Sequence, residues 1–253
     1  MEKDILILLA GIATGAMNAI AGGGMLIGFP AMVALGVPPL VANISANAIN
    51  PPGMAVAIGS YRSYLRRVPR TYIWLLLPVF VGSLAGALLL RQTGSESFAH
   101  VVPWLVLLGV VLFAFQPIIH LHLHHHIHHK RGGMPKLALI GLGILPASVY
   151  GGYFGAGFGF MMLAFLGMGK IREMHMLAAM KNISSLVVCL VCLAVLIPTG
   201  LVDWSLAAMM ASGTAVGGYL GASIGKKIPS HWLRVFVIII GLTAAIHLAL
   251  RDY

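Results

Sequence analysis

The chain has 253 residues, of which 59% are hydrophobic and 9% are charged, and its mean hydropathy is +0.96. Ordinary soluble domains carry about 25% charged residues, so this composition excludes a soluble domain and predicts a polytopic membrane protein. The apolar runs are continuous rather than alternating, which excludes a transmembrane β-barrel and predicts an all-α fold. The net charge of +10 is assigned to basic loops, so no nucleic-acid partner is expected.

The chain divides into ten apolar segments, five in each half. The segments are 4–20, 24–36, 40–60, 72–90, 101–119, 135–153, 158–168, 174–198, 203–224 and 232–250. A membrane span needs ~20 residues, so 24–36 and 158–168 are too short to cross and are expected to be broken or re-entrant helices. This predicts about eight full spans, in repeats 1–119 and 135–253 joined by a linker at 120–134.

Each short segment begins in a cluster of glycines. Three glycines recur 133 positions later, pairing Gly22 with Gly155, Gly24 with Gly157 and Gly36 with Gly169. The shared spacing, in two halves with a similar series of apolar segments, indicates an internal duplication.

Basic residues concentrate in 61–70, 120–136, 170–181 and 224–234, and two apolar segments separate each pair of neighbouring clusters. All four clusters therefore fall on one face, which the positive-inside rule makes cytoplasmic, in the inner (plasma) membrane of a bacterium. Because each half holds an odd number of segments, the second half must enter the membrane inverted, with a binding site near the midplane. Both termini are then expected outside the cytoplasm, and the start MEKD shows no cleavable signal peptide.

The charges that do enter the membrane favour an anionic ligand. None of the six carboxylates lies in the middle of an apolar segment, which argues against a cation pathway. Lys181 lies about two turns into segment 174–198, beside Asn182, Ser184 and Ser185. It either supplies a positive charge to an anion or snorkels to the interface.

The glycine clusters are expected to expose backbone N–H groups where helices begin, which attracts anions. The alternative is tight helix packing, which we assign to Gly82, Gly86, Gly217 and Gly221. The predicted substrate-binding set is Gly22, Gly23, Gly24, Asn43, Ser45, Asn47, Asn50, Gly155, Gly157, Gly159, Lys181, Asn182 and Ser184. No catalytic residue and no cofactor are predicted.

These residues resemble a known family. The triple glycine followed by the pattern P-x5-G-x-P-x3-A, at Pro30, Gly36, Pro38 and Ala42, is similar to the TauE/SafE family of sulfite exporters, over essentially the whole chain. In the second half Leu163 and Ile171 stand in place of the two prolines. The resemblance implies transport of sulfur-containing anions such as sulfite, sulfoacetate or other sulfonates. GxxxxGK[ST] is absent, so a gradient or a partner must supply the energy, and the substrate could carry its own proton.

Three other interpretations stay open from the sequence. The tract HLHLHHHIHH makes a divalent metal permease or a metal-responsive membrane protein the alternative function, with His122, His124, His125, His126 and His128 as ligands. We expect the tract to be dispensable for anion transport, because it lies on the linker. Cys189 and Cys192 form a CxxC, interpreted as packing residues rather than a redox or metal pair. An intramembrane enzyme using His175 and Lys181 lacks a partnered nucleophile or acid. The expected partners are a small anion and the bilayer, and a homo-oligomer is left open.

Overall fold

The computed structural model describes residues 2–20, 22–128, 136–169, 171, 173–224 and 230–250, and within these ranges every regular element is helical. The eleven α-helices are α1 (Glu2–Ile20), α2 (Met25–Ala34), α3 (Pro39–Ser60), α4 (Arg62–Leu65), α5 (Leu76–Gln92), α6 (Ser95–His128), α7 (Lys136–Tyr153), α8 (Phe158–Gly167), α9 (Met174–Leu196), α10 (Trp204–Ile224) and α11 (Ser230–Ala249). Two 3-10 segments, Arg70–Leu75 and Ile197–Thr199, precede α5 and follow α9.

The ten predicted apolar segments correspond to ten of these helices, and the largest difference is in α6. This helix starts at Ser95 rather than near 101 and continues to His128, so the described part of the histidine tract is helical backbone. The basic stretch 61–70 also contains the short helix α4 and the beginning of a 3-10 segment.

Four stretches of the described chain are long and apolar enough to cross a membrane: Lys3–Ile20, Arg70–Gln92, Ser95–Ala114 and Met174–Thr199. The prediction of about eight full spans stays a prediction, because this comparison covers only the described residues. Helix α3 has 22 residues but includes three asparagines and two internal prolines. Helices α2 and α8 have ten residues each, which gives a rise of about 15 Å, about half the hydrocarbon core.

Glycines mark the closest helix contacts and show the relative directions of the helices. A Cβ on Gly217 would lie 2.0 Å from Ile12 O and one on Gly221 2.5 Å from Ala16 O, so α1 and α10 run parallel. A Cβ on Gly82 would meet the Leu145 carbonyl oxygen, and a Cβ on Gly86 would meet the Val149 carbonyl oxygen, so α5 and α7 also run parallel. These four glycines have the packing role predicted for them.

Helices α3 and α9 cross the middle of the bundle in opposite directions. At one end Tyr61, just after α3, stacks on His175 in the first turn of α9, with ring centroids 6.0 Å apart. We call this the arginine end, since it carries Arg62, Arg66, Arg67 and Arg70. At the other end Ser45 Oγ, early in α3, accepts a hydrogen bond from the Asp203 N–H, shortly after α9.

The two halves pack in matching ways. In one set of contacts, α1 and α3 both pack on α10, and α2 contacts α11. In the matching set, α7 and α9 both pack on α5, and α8 contacts α6. Helices α3 and α9 contact each other, as do α6 and α11. Each of these helix contacts therefore has a counterpart between the corresponding helices of the two halves.

Candidate functional site

A small cavity of about 40 Å³ lies at mid-length of α3 and α9, where both halves contribute to its wall. From the first half it is lined by Asn18, Gly22, Met25, Ala46, Asn47, Asn50 and Met54, and from the second by Gly151, Phe154, Gly155, Phe158, Gly159, Ser185, Val188 and Cys189. By the rule of about 10–15 Å³ for each water, it has room for roughly three water-sized groups.

Ten of the lining residues form pairs at two similar sequence spacings. Asn18 with Gly151, Gly22 with Gly155, and Met25 with Phe158 are each 133 residues apart, and Asn50 with Ser185 and Met54 with Cys189 are each 135 apart. The first value equals the spacing of the glycine clusters in the sequence. Equivalent positions of the two halves therefore face the same cavity.

The glycine turns end α1 and α7 in the same way. Gly22 and Gly155 have φ values of +88° and +80°, a left-handed conformation that favours glycine. The Gly22 N–H donates to Met17 O at 3.1 Å, and the Gly155 N–H donates to Tyr150 O at 3.3 Å. These two N–H groups are satisfied inside the chain, so the expectation that the turns leave them free for an anion is corrected here.

The other predicted glycines differ in their surroundings. A Cβ on Gly159 would lie 2.6 Å from Gly22 O, so the two clusters touch, and Gly159 lines the cavity. Gly23 and Gly157 are absent from the lining: a Cβ on Gly23 would meet the Phe160 ring, and Gly157 precedes α8 with φ +90°. Gly24 donates its N–H to Asn18 Oδ1 at 3.0 Å, so this group is also occupied.

Asn18 connects four helices at the cavity, and the predicted set does not include it. Its Oδ1 accepts the Gly24 N–H at the start of α2, and its Nδ2 donates to Asn50 Oδ1 on α3 at 2.7 Å. Its main-chain oxygen accepts a hydrogen bond from Lys181 Nζ on α9. The only sequence signal was an asparagine within an apolar segment, one turn before the first glycine cluster.

Lys181 is 1% exposed, so it does not snorkel to the interface. Its aliphatic stem lies against Gly22, where an added Cβ would be 3.0 Å from Lys181 Cδ, and its Nζ reaches Asn18 O. Lys181 thus lies directly behind the cavity wall and makes no ion pair with a carboxylate in the described part of the chain. A buried ammonium group without a counter-ion is costly, so an anion in the cavity would stabilise it.

The remaining predicted side chains divide into two groups. Asn43 and Ser45 form structural hydrogen bonds, with Asn43 Nδ2 donating to Tyr153 O at 2.9 Å and Ser45 accepting the Asp203 N–H. Asn47 and Asn50 line the cavity.

Helix α9 buries polar groups that have no partner within the described chain. Asn182 Nδ2 and Ser184 Oγ make no hydrogen bond there. Ser185, which the predicted set leaves out, is 92% buried and lines the cavity, and its hydroxyl makes no hydrogen bond within the described ranges either. Unpaired polar groups in a membrane interior cost several kcal/mol. Of these three residues only Ser185 lines the cavity, so its hydroxyl favours a cavity that is filled by a polar ligand or water.

No group of three metal-ligating side chains occurs within the described residues. The side chains of His122, His124, His125, His126 and His128 lie outside that description, so the proposed metal site stays a prediction. His175 packs against Tyr61 and Tyr64, away from Lys181. Cys189 and Cys192 are buried free thiols, and Cys192 donates to Gly152 O at 3.4 Å.

The fold and cavity define a helical integral membrane protein with a small internal cavity that both halves line. Residues 7–248 match the family model described as sulfite exporter TauE/SafE, so the chain belongs to this family and is a membrane transporter.

Similar proteins are also described as probable membrane transporters. A probable membrane transporter protein of Haemophilus influenzae is 29% identical over 244 residues, covering 93% of this chain and 91% of that protein. The probable membrane transporter protein YfcA of Escherichia coli K12 is 28% identical, covering 88% and 79%. A Sinorhizobium protein with the same description, ORF9, is 25% identical and covers 96% and 90%. No solved structure matches.

Proposed function

We propose that this protein is a secondary transporter, and an exporter, of small sulfur-containing anions such as sulfite or organosulfonates. The observation that carries the proposal is the position of Lys181, a buried ammonium without an acidic partner in the described chain, directly behind the wall of a central cavity. Neither the cavity wall nor the middle of any described helix adds a carboxylate that would compete for this charge. The name of the family points to sulfite as cargo.

The proposed mechanism is alternating access between inverted-topology repeats. The repeats are supported by the opposite directions of α3 and α9, by the matching helix pairs and by the spacing of 133 or 135 residues between paired lining residues. A site at the interface of inverted repeats can open to either side when one repeat moves against the other. The contact between Gly22 and Gly159, without side chains, is the place where the halves meet most closely beside the cavity.

Each residue has a defined task in this scheme. Lys181 supplies positive charge, and the Ser185 hydroxyl is available to donate a hydrogen bond to an anion oxygen. Asn18 holds the start of α2 and Asn50 in position. Basic loops at the arginine end would lie in the cytoplasm of a bacterial cell, with a gradient or a co-transported proton as the energy source.

The direct test is anion binding and transport by the purified protein. Lys181→Met keeps most of the length of the side chain and removes its charge. An attraction of about 1.5–3 kcal/mol between the ammonium group and a nearby anion, the lower part of the range measured for close charge pairs, predicts that anion affinity falls roughly ten- to a hundredfold. Lys3→Met, at an exposed lysine in the first turn of α1, is the matched control and should bind normally.

Isothermal titration in detergent measures the affinities, and anion efflux from proteoliposomes measures transport. A folded Lys181→Met variant with unchanged affinity would remove Lys181 from the site. A wild-type protein that neither binds nor moves any sulfur-containing anion would contradict the proposed function as a whole.

A further inference from the structure

Within the described chain, one positively charged side chain lies beside the cavity. None of the fifteen described lining residues is charged, and Lys181 lies behind Gly22 and Asn18. One ammonium group can neutralise one negative charge. A doubly charged ion at this place would leave one negative charge buried without a partner, and burying an unpaired charge is strongly unfavourable.

The hydrogen-bond donors that remain for a ligand are also few. Asn18 donates one side-chain N–H to Asn50 Oδ1, and Asn50 donates one to Ala46 O, while Asn18 Oδ1 accepts the Gly24 N–H, so each of these two amides keeps one N–H. Asn47 Nδ2 donates to carbonyl oxygens of its own helix, at 3.2 and 3.4 Å. Of the four polar side chains in the wall, only Ser185 makes no hydrogen bond within the described chain. A sulfate ion, whose four oxygens all need donors, would lose most of its hydration without replacement.

The rest of the wall is apolar and lies close around the cavity. Met25, Met54, Phe154, Phe158 and Val188 offer methyl, thioether and ring surfaces to an occupant. These groups suit an apolar substituent on the anion and offer nothing to a further oxygen. The whole cavity of about 40 Å³ has room for roughly three water-sized groups, and the charged head of the anion fills most of that space, so the substituent can contain no more than one or two carbon atoms.

We infer that the substrate is a singly charged oxyanion with one short apolar substituent, best represented by methanesulfonate or ethanesulfonate. The inference rests on the proposed function and narrows its substrate class. Hydrogensulfite satisfies the charge condition, whereas sulfate and doubly charged sulfite do not. Larger aromatic sulfonates fail the size condition.

The test is a competition series on the full-length protein in lipid nanodiscs. Affinities are measured by isothermal titration at pH 6 for methanesulfonate, ethanesulfonate, benzenesulfonate, acetate and sulfate, at constant ionic strength. We expect methanesulfonate and ethanesulfonate to bind more tightly than sulfate by about tenfold or more, because the second charge is not compensated. Benzenesulfonate should bind more weakly than methanesulfonate.

A charge-addition variant tests the same idea from the side of the protein. Met54→Lys places a second cation in the wall at similar side-chain length, and Ser60→Lys, at an exposed position at the end of α3, is its control. The sulfate-to-methanesulfonate affinity ratio should rise about tenfold in Met54→Lys and stay unchanged in Ser60→Lys. Should Met54→Lys fail to fold, the wild-type series still decides the question.

The outcomes separate this inference from the proposed function. If sulfate binds as tightly as methanesulfonate, the substrate need not be singly charged. If benzenesulfonate binds as tightly as methanesulfonate, the substituent need not be short. In both cases the proposal that the protein transports sulfur-containing anions stands. Acetate binding as tightly as methanesulfonate supports the charge and size limits and argues against sulfur specificity. Binding of no anion at all would overturn both proposals.

Discussion

At the scale of single residues, Asn18 shows why a binding site is difficult to predict from sequence. Of the residues that the sequence predicted, Asn47, Asn50, Gly22, Gly155 and Gly159 line one cavity, and Lys181 lies behind its wall. The sequence could not indicate that Asn18 connects them, because this depends on where the end of α1 lies relative to α3 and α9. Asn43 and Ser45 are polar residues in the same apolar segment as Asn47, but they form hydrogen bonds to Tyr153 and Asp203 and do not line the cavity.

We predict that Asn18→Asp reduces anion affinity in a protein that still folds. The aspartate can still accept the Gly24 N–H, but it cannot donate to Asn50 Oδ1, and it brings a negative charge close to Lys181. A carboxylate there competes with the substrate for the ammonium group, so we expect a loss of about tenfold or more.

Isothermal titration of the Asn18→Asp protein measures this effect, and circular dichroism checks its fold. Ser60→Asp adds the same charge at an exposed position at the end of α3 and should bind like the wild type. Equal affinity in Asn18→Asp and Ser60→Asp would show that Asn18 has no electrostatic connection with the site.

At the scale of helices, the sequence predicted the elements well because apolar length and glycine or proline boundaries are local signals. The short helices α2 and α8 and the turns before them are where the sequence placed them. The sequence did not predict that several N–H groups of the glycine turns form hydrogen bonds within the chain. The role of these turns is to close α1 and α7 in a left-handed conformation and to allow the halves to touch, and the N–H groups of Gly22, Gly24 and Gly155 are already used.

The contact between Gly22 and Gly159 makes a prediction about stability. In Gly159→Ala the new Cβ would lie 2.6 Å from Gly22 O and 2.7 Å from Gly22 Cα, so the backbone must move. Overpacking of this kind costs about 1–3 kcal/mol, and we expect a lower thermal midpoint together with slower transport.

Gly59→Ala is the matched control for this substitution. No atom lies within 4 Å of a Cβ at that position, which is inside α3, so the substitution should be neutral or slightly stabilising. Thermal unfolding in detergent and efflux from proteoliposomes compare the two variants. A Gly159→Ala protein as stable and active as Gly59→Ala would show that the two halves do not need this close approach.

At the scale of the whole molecule, both the sequence pattern and the packing of the helices support the proposed inverted topology. The loop charges and the odd number of segments in each half predicted it from the sequence. The parallel pairs α1 with α10 and α5 with α7, and the opposed pair α3 and α9, agree with that arrangement. The sequence could not identify which helices pair, because these contacts join residues that are more than a hundred positions apart, such as Ile12 with Gly217.

The topology predicts the side of the membrane from which single cysteines react. In a background carrying Cys189→Ala and Cys192→Ala, Arg66→Cys and Ser223→Cys should label from the same side, because α3 and α10 run parallel and end together. Gly94→Cys and Pro198→Cys, after α5 and α9, should label from the other side. All four positions are exposed, so a membrane-impermeant maleimide applied to intact cells, and then to permeabilised cells, measures the sidedness. If Arg66→Cys and Ser223→Cys label from opposite sides, the two halves do not have inverted topology, and the positive-inside rule cannot place the arginine end in the cytoplasm.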